Sequence, residues 1–302
     1  MNPVRLKAYF FLFITAVIWA IASPVIKFTL GGISPLLFLT YRFSISAILG
    51  LFFLTFMKPK LPKSFSEAVL LLTYALFTST FALGFLFLGM EKTTVLSATL
   101  ITIVLPLMAS TAGVIFLHEH VTAREKIGMT IAIAGTAVTL IEPFLALDGG
   151  VEKLSGNLFV FAYLVFATIT AVMVKHLLRK GYQPTALAHI SFMVGFLSLI
   201  PFALISYGPT GIINTLTTLE LKYHLGVFYM AILSGTLAYS FSNKGQKTIE
   251  IGEAAVFTYL YPVLSVPLAV IWLKEKITPL FILGAIIIAI GVIIAEVKQK
   301  RV

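Results

Sequence analysis

The sequence contains no cysteine and few charged residues, and both absences restrict what the protein can be. None of its 302 residues is cysteine, so disulfides, thiolate catalysis, Fe–S clusters and cysteine-ligated zinc are excluded. Charged residues make up 11% of the chain, whereas soluble proteins carry about 25%. Acidic residues are the scarcest, with 12 Asp and Glu against 22 Lys and Arg. So few charges cannot cover the surface of a soluble protein of 33.0 kDa.

Apolar residues take the place of the missing charges. They form 59% of the chain, and the mean hydropathy is +1.02. Runs bounded by charges or by Gly and Pro predict ten spans of about 20 residues, the length needed to cross a bilayer. The predicted spans are 8–30, 35–57, 67–88, 94–117, 124–142, 156–177, 184–206, 223–242, 254–273 and 278–297. We therefore predict an all-α polytopic membrane protein in a lipid bilayer, with no sizeable soluble domain.

The distribution of basic residues predicts the orientation. Ten spans place both termini on one side of the membrane. If that side is cytoplasmic, the inner segments hold fifteen Lys and Arg residues, and the outer segments hold five: Lys92, Lys153, Lys222, Lys274 and Lys276. The positive-inside rule thus predicts cytoplasmic termini, and our default membrane is the plasma membrane. Because topology accounts for the +10 net charge, we expect no nucleic-acid partner.

The chain contains an internal repeat, found by comparing it with itself. A single offset of 156 pairs the following residues: Ala82 with Ala238, Gly89 with Gly245, Pro106 with Pro262, Glu119 with Glu275, Gly128 with Gly284, and Gly135 with Gly291. An offset of 148 pairs Lys27 with Lys175. We predict two five-helix units, residues 1–148 and 149–302. Five is odd, so the second unit is inverted in the membrane, as in transporters that work by alternating access.

The first span has a second interpretation. Arg5 and Lys7 precede an apolar run that includes Ala20-Ile21-Ala22, which fits a cleavable signal peptide. The run continues to Leu30, which is too long for a signal peptide. It also has a partner in the sixth span, so the repeat favours a retained helix.

The repeated motif resembles a known family. The first copy reads Gly89-Met90-Glu91-Lys92-Thr93-Thr94, then Ala98, Leu105-Pro106, Leu117-x-Glu119-x-x-Thr122, Gly128 and Gly135. This pattern, with its second copy, is similar to the EamA-type unit of the drug/metabolite transporter superfamily over essentially the whole chain. The resemblance implies ten spans around a central cavity and export of small metabolites, amino acids among them. It does not imply which metabolite.

The repeated prolines lie within predicted helices. Pro106 and Pro262 each remove one backbone hydrogen bond and free the carbonyl four residues earlier, which belongs to Thr102 and Thr258 respectively. Each threonine either satisfies the kink locally or offers a polar contact to substrate, and both interpretations stay open.

The repeated glutamates and glycines have structural explanations. Glu119 and Glu275 are expected in interhelical turns, with a coupling role as the alternative. Thr122 with Glu125 forms a capping-box pattern, and Thr278 precedes Pro279, which suits a first helical turn. The glycine pairs are seven residues apart on one face, where small residues allow close helix packing.

Ionisable residues within spans are expensive and few. Arg42 lies seven residues into the second span, and Ser191 aligns with it in the second copy. It either snorkels or pairs with carbonyls, or it contacts a carboxylate or phosphate on the substrate. Lys27 is expected to snorkel. His189 is either a proton site or a packing residue.

Four spans combine a ring with hydroxyl or amide groups on one face. The pairs and triplets are Trp19 with Ser23, Tyr163 with Thr170, Thr236 with Tyr239 and Asn243, and Thr258 with Tyr261 and Ser265. Such a lining suits an amphipathic neutral or zwitterionic solute. The predicted substrate-binding residues are Trp19, Arg42, Thr102, Tyr163, Tyr239, Asn243, Thr258 and Tyr261.

The predicted function is a secondary exporter of small organic solutes, such as amino acids, with protons as a candidate coupling ion. The alternative is a sugar-nucleotide or phosphorylated-metabolite exchanger, which needs paired basic groups in the cavity. The chain lacks a P-loop, G-x-S-x-G and H-E-x-x-H, so we expect no ATPase or other enzyme activity and no cofactor or metal. Nothing indicates the selectivity filter of a channel. We expect a monomer or a weak dimer.

Overall fold

The structure is a computed structural model that describes residues 3–57, 59–117, 123–145, 150–250, 254 and 256–296. Its helices are α1 (Pro3–Thr29), α2 (Pro35–Met57), α3 (Phe65–Lys92), α4 (Val95–Thr102 continued by Leu105–Leu117), α5 (Ala123–Leu145), α6 (Gly150–Arg179), α7 (Pro184–Thr218), α8 (Leu221–Thr248), α9 (Val256–Ile271) and α10 (Pro279–Glu296). No strand occurs in these residues.

Seven of the described helices are long and apolar enough to cross a membrane, namely α1, α2, α3, α4, α6, α7 and α8. Parts of α5, α9 and α10 form apolar helices of fewer than 18 residues. Large apolar side chains also cover the outside, for example Phe56 and Ile205, which are 73% and 84% exposed. A bilayer accommodates such a surface, whereas water does not. The polytopic membrane fold is thus confirmed, and the count of ten spans stays a prediction.

The bundle has two ends, defined here by α1. At the proximal end, where α1 begins, Phe11 stacks on Phe241 near the end of α8. At the distal end, where α1 finishes, Phe28 contacts Tyr223 near the start of α8. Helices α1 and α8 therefore run antiparallel along their whole length.

The packing pattern follows the repeat. Helices α1, α3, α4, α6, α8 and α9 form the centre, while α2 pairs with α7 and α5 with α10 at the periphery. Helix α1 packs on α8 and α9, and its counterpart α6 packs on α3 and α4. Exchanging the two units would leave these pairs unchanged. This pattern agrees with the predicted inverted repeat, whose boundaries at residues 148 and 149 stay a prediction.

The repeated glycines let α5 and α10 approach closely. A Cβ on Gly291 would lie 2.6 Å from the Gly128 carbonyl oxygen, and one on Gly135 would lie 2.8 Å from Ile288. A Cβ on Gly284 would lie 2.6 Å from the Thr139 hydroxyl. Real Cβ contacts are not this short, so the predicted packing role of these glycines is confirmed.

Four central helices depart from α geometry in matching pairs. Helices α3 and α8 contain π-helical segments, Phe77–Ala82 and Tyr229–Ala238, and both end at residues paired by the offset of 156. Helix α4 is interrupted after Thr102, and α9 begins with a 3₁₀ segment, Val256–Leu260. Pro106 and Pro262 therefore lie in the first turn of a new α-helical segment, where the missing N–H would be unpaired in any case.

Pro24 provides a further proline-linked contact. It lies inside α1 and frees the carbonyl of Ala20 from its helical hydrogen bond. The hydroxyl of Ser265, from α9, donates to that carbonyl at 2.6 Å. Ser265 belongs to a stripe that the sequence analysis assigned to a cavity, and it instead joins the two units.

Candidate functional site

A central cavity of about 930 Å³, including its mouth, lies between the six central helices. Its lining is Leu12, Thr15, Ala16, Trp19, Tyr74, Thr78, Ala82, Leu105, Ala109, Tyr163, Ala167, Thr170, Ala171, Val174, Tyr239, Ser242, Asn243, Gln246, Ala254, Phe257, Thr258 and Tyr261. Among the described residues no charged side chain lines it. The described lining therefore offers rings, hydroxyls and amides.

The cavity occupies the proximal half of the bundle. Its lining comes from the first two-thirds of α1, the second half of α8 and the start of α9. An aromatic layer forms its distal, blind end. The rings of Trp19 and Tyr239 meet there edge to face, with centroids 4.9 Å apart. The indole of Trp19 donates to the Ser234 carbonyl at 3.0 Å, which fixes the ring in the wall.

Six of the eight predicted binding residues line this cavity. They are Trp19, Tyr163, Tyr239, Asn243, Thr258 and Tyr261. Thr102 is not in the lining, and its hydroxyl donates to the Thr99 carbonyl at 2.9 Å. Arg42 is also outside the lining, fully buried behind the blind end. The structure thus brings the ring-bearing stripes together and leaves these two residues apart from them.

Several polar residues that line the cavity were not predicted from the sequence. They include Thr15, Tyr74, Thr78 and Gln246. Thr15 carried a usable signal, because the offset of 148 aligns it with Tyr163, which was predicted. Tyr74 and Thr78 lie four residues apart in α3, a helix for which no stripe had been considered.

Some of these polar groups have capacity for a ligand. Among the described residues, the Thr78 and Thr258 hydroxyls and the Gln246 Oε1 atom are buried without a hydrogen-bond partner. Buried polar atoms are normally paired. Water or substrate in the cavity is the natural partner for these atoms. Asn243 differs, because its amide already donates to the Pro184 carbonyl at 3.0 Å.

The distal half is closed by a polar contact between the two units. Both carboxylate oxygens of Glu275 accept backbone N–H groups at the start of α4, from Val95 at 2.8 Å and Leu96 at 2.9 Å. A carboxylate at a helix N-terminus is stabilised by unpaired amides and by the helix dipole. The expected turn position of Glu275 is confirmed, and its contact with α4 is new.

Opposing effects act on the pKa of Glu275, which lies in the loop after α9. Burial raises the pKa of its carboxyl, while the Val95 and Leu96 amides and the charges of Lys27 and Lys153 oppose that rise. Its repeat partner, Glu119, lies outside the described residues, as do Thr122 and the side chain of Glu125. At α10 the expected position of Pro279 in the first helical turn is confirmed, and the Thr278 hydroxyl accepts the Phe281 N–H at 3.0 Å.

Lys27 and Lys175 make the same contact at opposite ends. The Lys27 ammonium donates to the Met90 carbonyl at 2.9 Å and also to the Glu91 and Thr93 carbonyls, at the end of α3. The Lys175 ammonium donates to the Gln246 and Ile249 carbonyls, at the end of α8. The predicted snorkelling of Lys27 stays a prediction, and within the protein the carbonyls at the end of α3 accept hydrogen bonds from its ammonium group.

Aromatic rings complete the distal closure. Phe28 contacts Trp272 with ring centroids 4.9 Å apart and Tyr223 at 5.5 Å. These rings join the ends of α1 and α9 to the start of α8. In the part of the chain that the structure describes, the proximal half of the bundle therefore contains the cavity, and the distal half is packed.

The family assignment rests on two matching stretches of the chain. The EamA-like transporter family matches residues 6–141 and 154–296. The chain belongs to this family. This EamA-family protein is thus a multi-pass membrane transporter of small solutes, and the resemblance noted from its repeated motif is confirmed.

Relatives of this EamA-family transporter are long matches of low identity. A "probable amino-acid metabolite efflux pump" of Salmonella typhimurium is 26% identical over 95% of this chain and 94% of its own. The Escherichia coli protein of that name is 26% identical over 93% and 92%. The "uncharacterized transporter YetK" of Bacillus subtilis is 24% identical over 86% and 78%. A protein of known crystal structure matches with a TM-score of 0.67 and 18% identity, over 99% of this chain and all of that one.

Proposed function

We propose that this protein is a secondary transporter that exports small organic solutes, amino acids or related metabolites, across the plasma membrane by alternating access. The observation that carries the proposal is the ring-lined cavity in one half of the bundle, whose described lining residues are all uncharged, with the other half packed. Inverted repeats permit two such packings of equal kind, one for each side of the membrane. The names of the two enterobacterial relatives support amino-acid metabolites as the solute class.

The predicted topology gives the proposal a direction. With ten spans in two inverted units and cytoplasmic termini, the proximal end faces the cytoplasm. The cavity then receives solute from inside, and the packed distal half separates it from the outside. Export requires the distal contacts to part while the proximal half closes. Protons stay a candidate driving ion.

The phosphorylated-metabolite alternative is not favoured. Binding of a phosphate usually uses Arg or Lys, and among the described residues none lines the cavity. Tyr74, Thr78 and Gln246 supply neutral hydrogen-bond groups instead. Such a lining fits a solute with a modest charge and an apolar portion.

Counterflow in proteoliposomes tests the function directly. The panel would contain amino acids, nucleosides and sugar phosphates, each with and without a pH gradient. Saturable exchange of amino acids supports the proposal. Exchange confined to sugar phosphates would reverse the choice of substrate class, and flux without saturation would indicate a channel.

Variants of two tyrosines in the cavity lining test the site. We expect Tyr239→Ala or Tyr261→Ala to reduce the exchange rate at least about tenfold, because each removes a ring and a hydroxyl from the cavity wall. The control is Phe202→Ala, since Phe202 is 60% exposed on the outer surface. Unchanged exchange in both tyrosine variants, with folded protein, would remove these residues from the site.

A further inference from the structure

Arg42 is a buried cation whose hydrogen-bonding groups are unused. Its side chain is 0% exposed, and among the described residues neither Nε nor either Nη has a hydrogen-bond partner. Arginine stays ionised in proteins and carries five N–H donors in a planar fork. Both sequence-based structural explanations fail, because the side chain neither reaches the surface nor pairs with described carbonyls.

The surroundings of Arg42 stabilise a cation without neutralising it. Its Cζ atom lies 5.3 Å from the ring centroid of Phe43, 5.5 Å from Phe87 and 5.7 Å from Phe192. These are cation–π distances. No described carboxylate forms an ion pair with it. Lys27 and Lys175, by contrast, direct their ammonium groups at carbonyls, so Arg42 differs from these two lysines in leaving its charge without a hydrogen-bond acceptor.

Arg42 lies one aromatic layer behind the blind end of the cavity. The Phe192 ring beside it contacts Tyr239 edge to face, with centroids 5.1 Å apart, and Tyr239 lines the cavity. Gly235, in the π-helical segment of α8, lies next to the guanidinium, since an added Cβ would lie 3.4 Å from Nη2. Non-α turns of this kind are frequent at functional sites.

We infer that Arg42 is the binding site for a carboxylate on the transported solute, reached when the layer of Phe192 and Tyr239 moves aside. This inference rests on the proposed function, because a solute leaving distally must pass the blind end. One guanidinium matches one carboxylate in a bidentate pair. A phosphate dianion would need a second cation, and none is described beside Arg42.

The test compares two solutes that have the same side chain. One carries a carboxylate, and the other carries a carboxamide in its place. Counterflow of L-phenylalanine and L-phenylalaninamide would be measured with the wild type, Arg42→Lys and Arg42→Met. We expect the wild type to exchange the carboxylate at least about tenfold more efficiently than the amide, as one lost charged hydrogen-bond pair implies. Arg42→Met brings this ratio close to one while amide exchange stays within about twofold, and Arg42→Lys keeps part of the preference.

A matched control separates substrate binding from a packing role. His189 is likewise 0% exposed, with both ring nitrogens unpaired among the described residues, and it stacks on Phe53 outside the cavity. His189→Leu should leave the carboxylate-to-amide ratio unchanged. An equal fall of both fluxes in Arg42→Met, or a preserved ratio, overturns the inference.

The experiment also distinguishes failure of the inference from failure of the proposed function. Saturable exchange by the wild type without any carboxylate preference overturns the role of Arg42 alone. Absence of saturable exchange for the whole solute panel overturns both. If Arg42→Met does not fold, the wild-type preference and its reduction in Arg42→Lys decide the outcome, because lysine keeps the charge and loses the planar fork.

Discussion

The two ends of the bundle share one kind of contact and differ in another. Lys27 at the distal end and Lys175 at the proximal end each donate to carbonyls at the end of a helix in their own unit. Because this contact is present at both ends at once, it cannot be what closes one of them. The lysines fix helices within a unit.

The contacts that do close the distal end join one unit to the other. Glu275 follows α9 and binds the first amides of α4, and Phe28 of α1 packs on Trp272 and Tyr223 of the second unit. At the proximal end the corresponding Glu119 and residues 251–252 lie outside the described residues. Contacts between units, and not the repeated contacts within them, are therefore the ones to alter when testing alternating access.

The largest expected effect comes from removing the Glu275 carboxylate. Glu275→Ala removes both carboxylate oxygens and leaves the buried Val95 and Leu96 amides without acceptors. Each unpaired amide costs about 1–3 kcal/mol, so distal closure should weaken by about 3 kcal/mol. That is roughly a hundredfold shift between closed and open distal ends. The chain has no cysteine, so Ala167→Cys in the cavity wall is a clean reporter. A membrane-impermeant maleimide should label it from the distal side in Glu275→Ala, but hardly in the reporter variant alone.

Glu220→Ala is the matched control for this prediction. Glu220 also lies at the distal end, but its carboxylate pairs with Lys222 on the exposed surface. Distal labelling should therefore stay low in Glu220→Ala. Equal labelling with and without the Glu275 substitution would show that the Glu275 contact does not hold the distal end closed.

Substituting the two lysines should reduce the stability of the protein and leave unchanged the side from which the cavity is accessible. Lys27→Met and Lys175→Met each leave helix-terminal carbonyls unpaired, which costs about 1–3 kcal/mol. Because both contacts are internal to a unit, the ratio of distal to proximal labelling at Ala167→Cys should stay the same. Thermal unfolding in detergent measures the first effect, and vesicle labelling measures the second. A change of sidedness in Lys27→Met alone would mean that Lys27 acts across the units through its neighbour Glu275.

Much of this organisation could be predicted from the sequence, for physical reasons. Apolar runs and their charged boundaries follow directly from the cost of placing charge in lipid, and they located the helices. The repeat survives in glycines and prolines because their roles depend on backbone geometry: Gly291 contacts the Gly128 carbonyl, and Pro106 begins a helical segment after a break. Such constraints are visible without coordinates.

The cavity was only partly predictable, because a helical stripe does not reveal which neighbour it faces. The predicted stripe of Thr258, Tyr261 and Ser265 does not face the cavity as a whole. Thr258 and Tyr261 line the cavity, whereas the Ser265 hydroxyl donates to the carbonyl that Pro24 frees. The contact of Glu275 with α4 joins positions about 180 residues apart and leaves no local pattern. The burial of Arg42 depends on three rings from α2, α3 and α7, which no single helix could indicate.

The smallest expected effect is a pH dependence of distal closure. Burial raises the pKa of Glu275 in the closed form, whereas an open distal end exposes the carboxyl to water and returns its pKa towards the ordinary value. A form with the higher pKa binds the proton more tightly, so lowering the pH through that range favours closure. Distal labelling of Ala167→Cys, divided by proximal labelling at the same pH, should therefore fall towards acidic pH. The division removes the pH dependence of the thiol itself. The Glu275→Gln variant should abolish the trend, and a trend that survives in it would assign the titration to another group.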